Sequence, residues 1–146
     1  MNMKLVEIEV NNRSSEPEFQ TQECLDMFEM YNDFYKKIRY VKPWIGYFIL
    51  DGAVVKGVCG FTGPPVDGKV EIAYHTFPAY EGQGVASVAC SLLINIAAST
   101  EETVIITAKT APEHNVSTRI LQKYGFEHTG IVQDHEIGDA WFWELQ

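Results

Sequence analysis

Gly82 and Gly84 stand immediately ahead of the clearest helical pattern in the chain, in which Val85, Val88, Ala89, Leu92, Leu93, Ile96 and Ala97 recur at i, i+3, i+4 and i+7. Glycines between a strand and a helix let backbone N–H groups approach an anion closely at the positive end of the helix dipole, and a pyrophosphate fits there. The same glycines also suit a tight turn with no ligand. Two motif readings of the chain's glycines fail. Gly63-Pro64-Pro65-Val66-Asp67-Gly68-Lys69 has the G-x-x-x-x-G-K frame of a phosphate loop, but Val70 replaces the required Ser or Thr, two prolines occupy the loop, and a strand rather than a helix follows. Gly82-Gln83-Gly84-Val85-Ala86-Ser87 lacks the third glycine of a dinucleotide fingerprint and follows hairpins rather than a parallel sheet. No G-x-S-x-G elbow is present to support a serine hydrolase. His75, His114, His128 and His135 lack metal-ligand spacing. Cys24, Cys59 and Cys90 are odd in number and far apart, so no metal site or disulfide is expected, only buried thiols.

The elements around these residues can be read from periodicity. Residues 5–10 alternate as a first strand, and a polar stretch over 11–22 leads to a helical segment in which Phe28, Tyr31, Tyr35 and Ile38 recur, a stripe read as core packing, with an acceptor pocket as its rival. Pro43 closes that helical region. Strands at 45–50 and 53–60 flank Asp51-Gly52, the dipeptide of a tight type I′ hairpin, and a turn over 63–68 leads into a strand at 69–76. The helix at 85–99 then connects to a strand at 104–108 by a right-handed crossover. Asn115 can cap a helix carrying Val116, Ile120 and Tyr124, with Gly125 as the left-handed terminator. Strands at 126–133 and 140–145 finish as a hairpin. The fold class is α+β, with residues 1–146 forming one domain.

The chain is 46% hydrophobic and 21% charged, with a formal net charge of −9. That balance speaks against nucleic acid as a partner, because phosphate binding needs clustered Lys and Arg. The excess of acids over residues 1–36 (Glu7, Glu9, Glu16, Glu18, Glu23, Asp26, Glu29 and Asp33, against Lys4, Arg13 and Lys36) suits a cationic partner or simply a solvated face. No apolar run approaches the ~20 residues of a membrane span, and the first residues do not read as a secretory signal, so no membrane partner and a cytoplasmic location are expected.

The segment from Val70 through Thr76, Glu81, Gly82, Gln83, Gly84, Val85 and Ala86 resembles the acetyl-CoA signature of the GNAT acetyltransferases, from strand through loop to helix. The family loop opens with Arg or Gln where this chain has Glu81. A later segment, Ala108 to Phe126 with Asn115, Ser117 and Gly125-Phe126, is similar to the branch that contains the ribosomal-protein N-terminal acetyltransferases, in which a serine replaces the tyrosine acid used elsewhere. Leu121 occupies the position of that tyrosine. The closing Gly138-Asp139-Ala140-Trp141-Phe142-Trp143-Glu144-Leu145 also resembles this branch, so the likeness covers residues 45–146.

That resemblance implies a central mixed sheet of about seven strands flanked by about four helices, with acetyl-CoA as cosubstrate and a primary amine, on a small molecule or a peptide, as acceptor. It implies that the backbone around Tyr74, His75 and Thr76 pairs with the pantetheine arm, that Gly82, Gln83, Gly84, Val85 and Ala86 receive the pyrophosphate, and that Asn115 adds amide hydrogen bonds. Glu71 matches a strand glutamate used as base, and the competing reading is a sheet-edge charge paired with a lysine. Glu136 falls where the ribosomal-type branch has a proposed base, against an ordinary turn acid. Ser117 is the expected donor to the leaving thiolate, against a helix-end hydrogen bond. A non-catalytic acyl-CoA-binding sensor and a subunit that binds a partner through residues 28–40 remain as alternatives, and a homodimer is compatible with all of them.

Overall fold

The computed structural model describes residues 2–11 and 15–146, so residues 12–14 of the polar stretch lie outside the described residues. Its sheet has seven strands: β1 (Met3–Glu7), β2 (Gly46–Asp51), β3 (Val54–Phe61), β4 (Lys69–Thr76), β5 (Ile105–Thr110), β6 (Glu127–Asp134) and β7 (Gly138–Leu145). The order is β1-β2-β3-β4-β5-β7-β6. Every neighbouring pair is antiparallel except β4 and β5. The described residues form three α-helices rather than about four: α1 (Gln22–Phe34), α2 (Val85–Thr100) and α3 (Val116–Lys123), with single 3-10 turns at Pro17–Phe19 and Pro78–Tyr80.

The helices clothe opposite faces of the sheet. From α1, Phe28 meets Phe48 of β2 edge-on at 5.1 Å between ring centroids. Phe48 lies opposite Val58, and Val58 opposite His75, so these residues share a face with Ala73 and Glu71. On the other face α2 packs against β3 and β4, over the buried Val70 and Ile72. The stripe of α1 is core as expected, with Phe28, Tyr31 and Tyr35 buried and Ile38 packed at its margin. The expected buried thiols Cys24, Cys59 and Cys90 are all buried and free.

Three local expectations need correction. The helix bearing the stripe ends at Phe34, well before Pro43, with Tyr35 as its C-cap, and the Tyr35 side chain takes a structural post. The Tyr35 hydroxyl donates to the Ile8 carbonyl at 2.7 Å and accepts the Gly46 N–H at 2.9 Å, both buried. Each such bond contributes about 1 kcal/mol net, and leaving the partners unpaired costs more. The first strand ends at Glu7 rather than at residue 10, because its antiparallel partner starts at Gly46, opposite that end. The type I′ turn also falls at a different Asp-Gly pair. The β2–β3 turn is centred on Gly52 and Ala53, of which only Gly52 has positive φ. Asp67 and Gly68 both have positive φ, 52° and 77°, and Val66 and Lys69 exchange both backbone hydrogen bonds across them.

Candidate active site

The geometry of the site follows from one interruption in the sheet. β4 and β5 pair in parallel through Lys69–Ile105, Val70–Ile106 and Glu71–Thr107, and there the ladder stops although both strands continue. Beyond Glu71, the edge of β4 that faced β5 has no strand partner. The opening meets the amino-terminal ends of α2 and α3 in a cleft of about 530 Å³.

One wall of this cleft is the glycine turn. Gly82 has φ +78°, and Gly84, the N-cap of α2, has φ +80°. No side chain caps the first turn of α2 and no acidic residue lies in it, so its backbone N–H groups are left for an anion. Across the cleft, Asn115 caps α3 with a reciprocal pair: its side chain accepts the Thr118 N–H at 3.1 Å and its own N–H donates to Thr118 Oγ1 at 2.9 Å. The Asn115 amide NH₂ donates to Glu113 Oε1 at 3.3 Å, so capping occupies much of this side chain's hydrogen-bonding capacity.

The cleft brings together Tyr74, His75, Thr76, Gly82, Gly84, Val85, Ala86, Asn115 and Ser117, most of the set read from the sequence. Gln83, Glu71 and Glu136 are not in its lining, and Gln83 accepts a hydrogen bond from Lys56 Nζ at 3.0 Å. Glu81 lines the cleft as an exposed residue after the Pro78–Tyr80 turn, so the departure from the usual Arg or Gln stands at the mouth. Ser117 is half-buried, and among the described residues its hydroxyl has no partner, while its carbonyl accepts the Tyr74 hydroxyl at 3.5 Å. Burial pushes the Tyr74 phenol well above its ordinary range. Leu121, at the position of the alternative tyrosine, is fully buried.

Replacing Ser117 with alanine separates its two roles. Loss of a hydroxyl donor to a developing thiolate lowers kcat and kcat/KM together by about ten- to a hundredfold and leaves acetyl-CoA affinity unchanged. A helix-end role instead lowers the melting temperature with normal turnover. The unpartnered hydroxyl leads us to expect the first outcome, checked by steady-state kinetics and a melting curve on the same variant.

The carboxylates stand apart from the cleft lining. Glu71 closes the β4–β5 ladder on the face shared with His75, its side chain 27% exposed, with Oε1 3.5 Å from Lys109 Nζ. The lysine pairing weighed against a base is therefore present. Burial raises the Glu71 carboxyl above its ordinary value, Lys109 lowers it, and Asp134 raises it again. Glu136 is exposed in the β6–β7 turn; its backbone N–H donates to Asp134 Oδ1 at 2.9 Å, and its side chain does not line the cleft. The lining also includes Tyr80, Ser87, Val116 and Ile120, which the sequence did not single out as site residues. Ser87 was within reach, because it lies one turn from Gly84 on the helix. Lys109 and Asp134 become visible only once the β5 register is known.

Residues 7–127 match the acetyltransferase (GNAT) domain family. An N-acetyltransferase p20 from Bacillus licheniformis is 29% identical over 112 residues, which cover 76% of this chain and 62% of that protein. A GNAT-family acetyltransferase structure from Bacillus anthracis superposes with a TM-score of 0.59 at 21% identity, over 68% of this chain and 64% of that one. The microcin self-immunity acetyltransferase MccE, in complex with acetyl-CoA and AMP, gives 0.66 at 17% identity, over 84% and 69%. A Salmonella typhimurium acetyl transferase that modifies the N-terminal serine of a 50S ribosomal subunit protein gives 0.63 at 16% identity, over 85% and 73%. The chain thus spans less than two thirds of the Bacillus licheniformis and Bacillus anthracis proteins. With the family match covering most of its length, and the interrupted β4–β5 ladder opening beside a glycine turn, the chain belongs to the acetyltransferase (GNAT) domain family.

Proposed function

We propose that the protein transfers an acetyl group from acetyl-CoA to a primary amine by direct attack, in the cytoplasm. The observation that carries this reading is the open edge of β4 beside the uncapped first turn of α2. An extended amide-bearing arm finds backbone donors and acceptors along that edge, and a pyrophosphate finds converging N–H groups at Gly84 and the residues after it. The cradle fits the cosubstrate on this chain's own geometry. When bound, acetyl-CoA supplies the thioester that carries the acetyl group. The solved relatives named above include one holding acetyl-CoA, which supports the same reading.

The residues divide the remaining work. A free alkylamine has a pKa near 10 and arrives protonated at neutral pH, so a carboxylate must accept a proton, directly or through water. Glu71 is that carboxylate, partly withdrawn from solvent at the point where the sheet opens. Ser117, in the first turn of α3 and in the cleft lining, offers a free hydroxyl to the departing sulfur. The likeness to an enzyme acting on an amino-terminal serine places peptide amino termini among the acceptors to try, alongside polyamines, aminoglycosides and small amines.

The test is release of free CoA from saturating acetyl-CoA across that panel of amines. Amine-dependent release with a matching mass gain of one acetyl group supports transfer. Tight acetyl-CoA binding without release across the panel would favour the alternative, a non-catalytic acyl-CoA-binding domain.

A further inference from the structure

Lys109 lies on β5 two residues past Thr107, the partner of Glu71, and so projects from the same face where the strands part. Its ammonium stands 3.5 Å from Glu71 Oε1 and 3.8 Å from Asp134 Oδ2. Asp134, the last residue of β6, is itself fixed, because its Oδ1 accepts the backbone N–H groups of Glu136 at 2.9 Å and of Ile137 at 3.3 Å. A chain of contacts therefore runs from the β6–β7 turn through Asp134 and Lys109 to Glu71.

We propose that Lys109 is a positioning residue for the acceptor-side base: it holds the Glu71 carboxylate in place, and is itself held by Asp134 and the β6–β7 turn. The proposal rests on Glu71 being the base. Glu136 then contributes through its backbone, by pinning Asp134, rather than through its own carboxylate.

The charges that face Glu71 are few. Lys109 comes from β5, beside the neutral Thr107, and Asp134 from β6. From β7, Glu144 is engaged by Lys69 at 2.6 Å. On β4 itself, His75 stands four residues farther along. Burial and Asp134 both favour the neutral carboxyl, and Lys109 alone opposes them. A neutral acid cannot take a proton, so by offsetting part of the burial the lysine widens the pH range over which the base works. The lysine and the glutamate are both partly withdrawn from water, at 31% and 27% side-chain exposure, so solvent screens this pair less than an exposed one. An opposite charge within about 4–6 Å moves a carboxyl by roughly one to three pH units.

The experiment follows the Glu71 side-chain carboxyl by carbon-13 NMR across a pH titration of the CoA-saturated protein, in wild type and in Lys109→Met, Lys109→Gln and Lys109→Arg. No acceptor is required. The expected result is a midpoint at least one unit higher in the Met and Gln variants, a tenfold smaller ionised fraction below it, and a return close to wild type with Arg. An unmoved midpoint in both neutral variants overturns the proposal, even if the melting temperature falls, since that pattern describes a purely structural ion pair. The base assignment fails separately: a shifted midpoint together with undiminished amine-dependent turnover in Glu71→Gln removes both residues from catalysis.

Discussion

Gly84→Val abolishes the thermal stabilisation that acetyl-CoA gives the wild-type protein. A ligand that binds only the native state stabilises it by RT ln(1 + [L]/Kd), about 2.7 kcal/mol at a hundred times Kd. For a domain of this length that is roughly 6 to 11 °C in melting temperature. Gly84 holds φ +80° at the N-cap of α2, a conformation that a β-branched residue adopts only under strain of about 1–3 kcal/mol. Relieving the strain reorients the first N–H groups of the helix, and the new side chain covers them. The unliganded variant melts somewhat earlier but stays folded, because the exposed turn lies outside the core. Differential scanning fluorimetry with and without millimolar acetyl-CoA measures both quantities. A full shift in the variant would remove the glycine turn from the binding site, and no shift in wild type would remove acetyl-CoA itself.

Glu71→Gln lowers amine-dependent turnover by about a hundred- to ten-thousandfold at neutral pH while preserving acetyl-CoA binding. Burial places the folded-state pKa of this carboxyl above its ordinary value. The wild-type rate therefore falls as pH drops through that raised pKa and the base becomes protonated. In the glutamine variant that limb disappears, and the rate instead climbs with pH as the free amine accumulates. The deficit is largest just above the raised carboxyl pKa, and closes toward about pH 10, where the amine deprotonates unaided. The stability sign is opposite. A carboxyl with a raised folded-state pKa contributes stability below its unfolded pKa and loses it as pH rises through the folded value, so at neutral pH the glutamine variant is at least as stable as wild type. A pH–rate profile paired with melting curves checks both statements, and an unchanged profile would move proton removal to solvent.

Much of this was legible in the sequence because it depends on local rules. The α2 pattern, the glycines before it, the Asn115 cap and the left-handed Gly125 are each set by a few neighbouring residues, and the structure places all four as read. The structure departs from these local rules where a distant partner decides. Nothing near Tyr35 in the chain announces that its hydroxyl will join Ile8 to Gly46. Two Asp-Gly pairs offered the same hairpin chemistry, and the strand register assigned the type I′ turn to Asp67-Gly68. The same holds for the site. The residues read as the cofactor side are mostly one contiguous stretch that lines one cleft, whereas the surroundings of Glu71 are assembled from β5 and β6 and could not be read from Glu71's own neighbours.

The three buried cysteines give the molecule a built-in clock. Cys24 lies in α1, Cys59 in β3 and Cys90 in α2, one in each layer of the fold. Desolvation pushes the Cys90 thiol up to about 12 and Cys59 higher still, so in the closed state neither offers appreciable thiolate at neutral pH. A thiol-specific label therefore reacts only when a layer opens, and its rate at each cysteine reports how often that layer does so. Because Cys90 lies in the helix whose first turn lines the cleft and Cys59 in the strand packed against that helix, slower labelling of these two relative to Cys24 on adding acetyl-CoA would measure how far ligand binding quiets that half of the sheet.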